Sequence, residues 1–240
     1  MRKLTNWIVD TVMLLRLSLR LQLGKWFWLV PLLALAWPAY LALSLVAGWR
    51  EQSFEPVDVQ NTLIGLPLYL LAIGLGVRII AGEIEQRTLE VTYTVPGGAQ
   101  RVWISKIFAA LLPLVAAEIV LAVVTAAFFT RVPILALYGS LQGIVVYLVL
   151  AMGLGALFRS ELTAALVVSV VIFMNGLMTG FGELTTRLSP FFNPLAGNQE
   201  NQAELLAWTI QNRIGFALFV LAVVALSCVR AERREELLRA

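Results

Sequence analysis

Residues 107–129 read IFAALLPLVAAEIVLAVVTAAFF, a stretch with one ionisable side chain, Glu118. Wound as a helix rising about 1.5 Å per residue, the run extends roughly 34 Å, enough to cross a hydrocarbon core about 30 Å thick. Backbone inside hydrocarbon has to satisfy its own N–H and C=O groups, and a lone apolar run does so only as a helix. Further runs of the same kind occupy about 26–49, 62–81, 134–158, 162–181 and 210–229. The fold class that follows is an all-α integral membrane protein of six transmembrane helices over residues 26–240.

Composition agrees. The chain is 60% hydrophobic and 14% charged, with a mean hydropathy of +0.84, whereas a soluble domain is about 25% charged. A soluble fold cannot hide that much apolar surface, so the bilayer supplies most of the burial. Cys228 is the single cysteine, which excludes an intrachain disulfide, and the chain has no histidine. Histidine-ligated zinc sites, serine–histidine triads and histidine proton relays are thereby excluded.

The net charge is +3, but the basic residues sit at the ends of apolar runs and form no nucleic-acid patch. One set of loops and termini carries Arg2, Lys3, Arg16, Arg20, Lys25, Arg87, Arg101, Lys106, Arg159, Arg230, Arg233, Arg234 and Arg239. The other carries Arg50, Arg131, Arg187 and Arg213, so the division is thirteen to four, with Arg78 left inside the second span. The positive-inside rule then predicts that both termini are cytoplasmic, in a cell membrane that is the bacterial inner or plasma membrane.

Ahead of the first span, Leu4, Ile8, Val12, Leu15, Leu19 and Leu23 recur at helical spacing, with Lys3, Asp10 and Arg20 on the opposite face. Residues 1–25 are too charged to span and are predicted to form an amphipathic interfacial helix, with its arginines near lipid phosphates. The same charges interrupt any clean apolar core, so no cleavable signal peptide is expected. Trp26, Trp28 and Trp49 fit an aromatic belt at the ends of the first span, which Pro31 and Pro38 should bend. Residues 182–208 form the longest external segment, read as a cap or mouth with a short helix ending at Trp208.

The chemistry-bearing stretch is residues 82–106, GEIEQRTLEVTYTVPGGAQRVWISK, between the second and third spans. Glu83, Glu85 and Glu90 favour a short amphipathic helix, and Pro96 with Gly97 and Gly98 forces a turn. Such a compact knob suits a lever on which another protein pushes; an ordinary solvated loop has the same charge pattern. Leu89 and Tyr93, four residues apart, share a helical face that can dock into a partner groove. As exposed charges, the three glutamates should each contribute only about 0.2–1 kcal/mol.

Inside the membrane, Arg78 lies within about a turn of the cytoplasmic end, where its guanidinium can snorkel to the interface. Glu118 lies nearer mid-span, and three roles are open to it: lining a pathway, pairing with Arg78, or sitting protonated against another helix. Gln142 and Asn175 can bond across helices or meet a substrate. Gly139-x-x-x-Gly143 and Gly176-x-x-x-Gly180 allow close helix contact, within one chain or at a dimer seam.

The run Glu83, Glu85, Thr88, Leu89, Glu90, Pro96 and Arg101, followed by a new apolar span at Lys106, resembles the cytoplasmic loop of ABC-2 type permeases, the membrane subunits of one class of ATP-driven exporter. The likeness extends to an N-terminal interfacial helix, six spans, and Ser189-Pro190 followed by Asn193 before the last span. Arg87 stands where the family often has glycine, Ser105 replaces the glycine before the lysine, and Arg101 is two residues further from Pro96 than usual. The resemblance implies that residues 82–106 are a coupling loop contacting a separate ATP-binding subunit, and that the chain pairs with a second copy or a homologous permease. It further implies that the chain is not itself an enzyme and binds no cofactor. Because the chain has no GxxxxGK[ST] phosphate loop, ATP and Mg belong on the partner ATPase. The rival reading is a secondary transporter with three-plus-three inverted repeats. An intramembrane enzyme is disfavoured by the lack of histidine and of paired carboxylates within a span.

Overall fold

The computed structural model describes residues 13, 15–20, 22, 24, 27–49, 53–88, 99–178, 187–196 and 201–232. Among them there is no strand, and six helices are long and apolar enough to cross a membrane. They are α1 (Leu29–Val46), α2 (Leu66–Glu85), α3 (Ala99–Phe128), α4 (Ile134–Phe158), α5 (Glu161–Met178) and α6 (Gln202–Glu232). The chain is thus a membrane-embedded, all-helical protein. Residues 15–20 are helical too, but most of the predicted interfacial helix lies outside the described residues.

Several helices outrun the hydropathy boundaries. The second candidate span starts at Pro56, well before position 62, and runs unbroken to Glu85 through a 3₁₀ turn (Pro56–Asp58), a π-helix (Val59–Gly65) and α2. The third helix starts at Ala99, not near 107, and the last at Gln202, where a separate short helix ending at Trp208 was expected. The stretch between the second and third spans therefore shrinks from 82–106 to 86–98. Hydropathy marks the hydrocarbon edge, whereas helical hydrogen bonding continues into the interface without cost.

Pro67 explains the π-helix. A proline here has no amide for the carbonyl of Leu63 and crowds it, so the turn before it widens, with the Leu66 amide bonding back to Asn61 O. That wide turn rotates Gln60 and Asn61 toward the segment 187–196, which they hold.

The central pair is α2 with α4, brought together by small residues. A Cβ on Gly76 would collide with the backbone carbonyl of Leu148 and lie 2.8 Å from Ala151 Cβ, while one on Gly155 would lie 3.3 Å from Ala81 Cβ. Around this pair, α3 packs against α1 and α2, α5 against α4 and α2, and α6 against α4. Burial follows position: 72% of the most apolar window of Pro56–Glu85 is buried, against 17% for α5 and for α6. The outward faces of α5 and α6 carry Leu166, Phe173, Ile214, Leu218 and Leu221, all exposed, as a lipid-facing surface requires.

Two helices end in the same Schellman motif with different residues. In α1 the left-handed position is Gly48 (φ 71°), with Trp49 N donating to Ser44 O and Gly48 N to Leu45 O. In α2 that position is Arg87 (φ 56°), with Thr88 N donating to Glu83 O at 3.0 Å and Arg87 N to Ile84 O at 3.2 Å. A side chain in this conformation costs roughly 1–2 kcal/mol, part of which glycine returns as chain entropy on unfolding. Arg87→Gly is therefore expected to stabilise the protein by about 1 kcal/mol, read as a higher melting temperature in detergent. A fall would mean that the exposed Arg87 side chain makes a compensating contact.

Candidate functional site

Two polar clusters are built into opposite ends of the bundle. At the first, the last turn of α2 meets the first turns of α3. Glu83, which the sequence places in an exposed loop, is buried: its carboxylate accepts hydrogen bonds from the Lys106 ammonium and, at 3.2 Å, from the Trp103 indole N–H. The Glu83 and Lys106 side chains are only 8% and 7% exposed. Gln22 Nε2 donates to Lys106 O at 3.2 Å and ties the N-terminal segment to the same node. The correction has a geometric cause. Continuing α2 past position 82 carries Glu83 around to the face that packs on α3, while Glu85 stays exposed.

Glu85 has its own partner, accepting the backbone N–H of Glu161 at 2.8 Å and so capping the start of α5. Arg78 lies 3.8 Å from Glu161 Oε2, its side chain 57% exposed. It is thus paired to α5, and the pairing with Glu118 does not form. Thr88 is exposed and closes the α2 cap through its amide. Arg101 lies on the first turn of α3, not in a loop, and its Nη2 is buried without a hydrogen-bond partner among the described residues. Leu89, Glu90, Tyr93 and Pro96 lie outside the described residues.

The second cluster occupies the opposite end and the interior beneath it. Segment 187–196 is latched over the π-helix: Gln60 Nε2 donates to Phe192 O at 2.9 Å, Asn61 Nδ2 to Phe191 O at 2.9 Å, and Asn193 Nδ2 to Val57 O at 2.8 Å. Asn212 on α6 donates to the carbonyls of Arg187 and Ser189 at 2.8 and 3.0 Å and accepts from Gln142 at 3.1 Å. Arg213 donates to Gln142 Oε1 at 2.8 Å and lies 5.0 Å from the centre of the Tyr138 ring. Gln142 is therefore a strut between α4 and α6. Part of the 182–208 cap is thus an ordered plug, fastened by side-chain amides to backbone carbonyls that would otherwise be buried unpaired.

Below the plug, Tyr69, Tyr147 and Phe191 form an aromatic trio with ring centres 5.4–5.9 Å apart. Asn175 Nδ2 donates to Tyr147 Oη at 3.4 Å. Glu118 is buried and accepts a hydrogen bond from the Ser140 hydroxyl. It belongs to an α3–α4 contact. The hydroxyl of Tyr69 is wholly buried with no hydrogen-bond partner among the described residues.

The structure gathers Glu83 and Lys106 at one end and Gln142, Glu118 and Asn175 near the other, but brings neither Arg78 nor Arg101 into a shared site with Glu118. Sequence reasoning missed Trp103, Gln60, Asn61, Tyr69, Asn212 and Arg213. The only available signal was polar residues at the edges of apolar runs, which does not say which face of a helix they occupy. Among the described residues no group of three aspartate, glutamate, cysteine or histidine side chains is placed to hold a metal ion. No family model, curated protein or solved structure matches this chain.

Proposed function

We propose that the chain is the permease subunit of an ABC-2 type exporter, forming half of a translocation pathway with a second copy or a related permease. ATP and Mg are bound by a separate ATPase subunit that contacts residues 86–98, both termini are cytoplasmic, and transport runs outward. The observation that carries this reading is the mounting of that loop. Its two ends emerge from α2 and α3 directly beside the buried Glu83–Lys106–Trp103 node, and Glu85 ties the same helix end to α5. A push on the loop acts on helices braced together, so it moves them as bodies and is not absorbed by one flexible joint. The left-handed turn at Arg87 supports the same reading, since it falls at the position where the resembling family often carries glycine.

The test is co-expression with a candidate ATPase encoded beside this chain. Leu89→Asp and Tyr93→Asp are each expected to lower co-purification and substrate-stimulated ATP hydrolysis about tenfold or more, as loss of an apolar anchor at an interface centre does. Arg131→Asp, at the other end of the bundle, should leave both unchanged. Loop variants that bind and couple like wild type would remove the transmission role and favour an ATP-independent transporter.

A further inference from the structure

A groove of about 900 Å³ opens where the N-terminal segment crosses α3. Its apolar lining comes from Leu15, Leu19, Phe27 and Leu112, and Arg16 and Arg20 stand at its edge. The two arginines are four residues apart on one helical turn, both exposed, and no ion pair among the described residues engages either of them. The segment is held in place at its other end by the Gln22 bond to Lys106 O, and it closes at Gly24, whose amide donates to Arg20 O at 2.8 Å in a left-handed turn (φ 60°). Leu112 lies about 9 Å along α3 from Lys106, so the floor of the groove sits at acyl-chain depth while its edge sits at the interface.

We propose that this groove binds one anionic phospholipid, its phosphate held between the Arg16 and Arg20 guanidinium groups and an acyl chain laid against Leu15, Leu19, Phe27 and Leu112. Guanidinium groups are suited to phosphate oxygens because their donors form a planar fork, and two of them above an apolar trough match a lipid better than a soluble anion. The occupant follows from charge complementarity together with the depth of the apolar floor. The inference is independent of the transport reading.

The test uses the full chain reconstituted in bilayers of equal phosphatidylcholine and phosphatidylglycerol, extracted gently, with retained lipid counted by native mass spectrometry. One retained phosphatidylglycerol is expected, favoured roughly twenty-five-fold over phosphatidylcholine if each arginine contributes about fivefold. Arg16→Gln with Arg20→Gln should bring the preference close to one, whereas Arg16→Lys with Arg20→Lys should keep part of it, separating charge loss from misfolding. Leu112→Trp should expel the lipid with both arginines intact, and Arg131→Gln should change nothing. Phosphatidylglycerol preference persisting in the double glutamine variant, retention unaffected by Leu112→Trp, or displacement of the lipid by millimolar inorganic phosphate would each overturn the proposal.

Discussion

Glu83→Ala is expected to destabilise the protein by about 3–5 kcal/mol, several times the effect of removing an exposed carboxylate. The reason lies in what remains. Glu83 accepts from both the Lys106 ammonium and the Trp103 indole, and all three groups are buried between the ends of α2 and α3. Deleting the carboxylate leaves an ammonium in a low-dielectric site with its largest compensation gone. Lys106→Met should cost a similar amount, since it strands the carboxylate instead. The pair changed together, Glu83→Gln with Lys106→Met, should lie within about 1 kcal/mol of wild type, because glutamine still accepts from Trp103 and methionine replaces the lysine stem with similar volume. Unfolding of the three variants in detergent checks this. Single losses of less than about 1 kcal/mol would show that the pair is hydrated and carries little energy.

Gly143→Ala is expected to cost about 1–3 kcal/mol, and Gly143→Leu more, although each adds only carbon to an apolar helix. A Cβ at position 143 would lie 2.7 Å from Tyr69 Oη. The Tyr69 ring cannot retreat, being fully buried and flanked by Tyr147 at 5.4 Å and Phe191 at 5.5 Å. Position 74 provides the control, since nothing lies within 4 Å of a Cβ there. Gly74→Ala should be neutral or stabilise by up to about 1 kcal/mol, as alanine favours the helix. The melting temperature should therefore fall for Gly143→Ala and hold or rise for Gly74→Ala. Gly139 packs likewise on the Gln60 amide, so this glycine pair is an internal contact of the chain. A Gly143→Ala variant that melts normally but loses self-association would instead restore the dimer-seam reading.

Much of the site was illegible in the sequence for reasons visible at particular residues. Glu83 and Glu85 look alike in the letters, both acidic and just past an apolar run. Two residues correspond to about 200° of helix rotation, which buries one against α3 and leaves the other at the surface. Asn193 stood out by its place beside Ser189-Pro190, but its partner, Val57 O, is 136 positions away, and Gln60 reaches Phe192 across 132. Nothing local marks either pair. Pro67 drew no reading in the sequence, and its consequence, a π-turn that aims Gln60 and Asn61 at the plug, depends on what lies opposite.

The sequence by itself determined the number and approximate place of the helices long and apolar enough to cross a membrane, because the transfer free energy of an apolar run is a local sum and hydrocarbon leaves an isolated run only the helix. It also bounded the chemistry, through the absence of histidine and the single cysteine. The tertiary structure alone decided which polar groups became partners: Glu83 with Lys106, Arg78 with Glu161, Glu118 with Ser140. Those pairings depend on how each helix is rotated about its own axis, and that rotation is set by close contacts at Gly76, Gly143 and Gly155, where the missing side chain of one helix admits the backbone or ring of another.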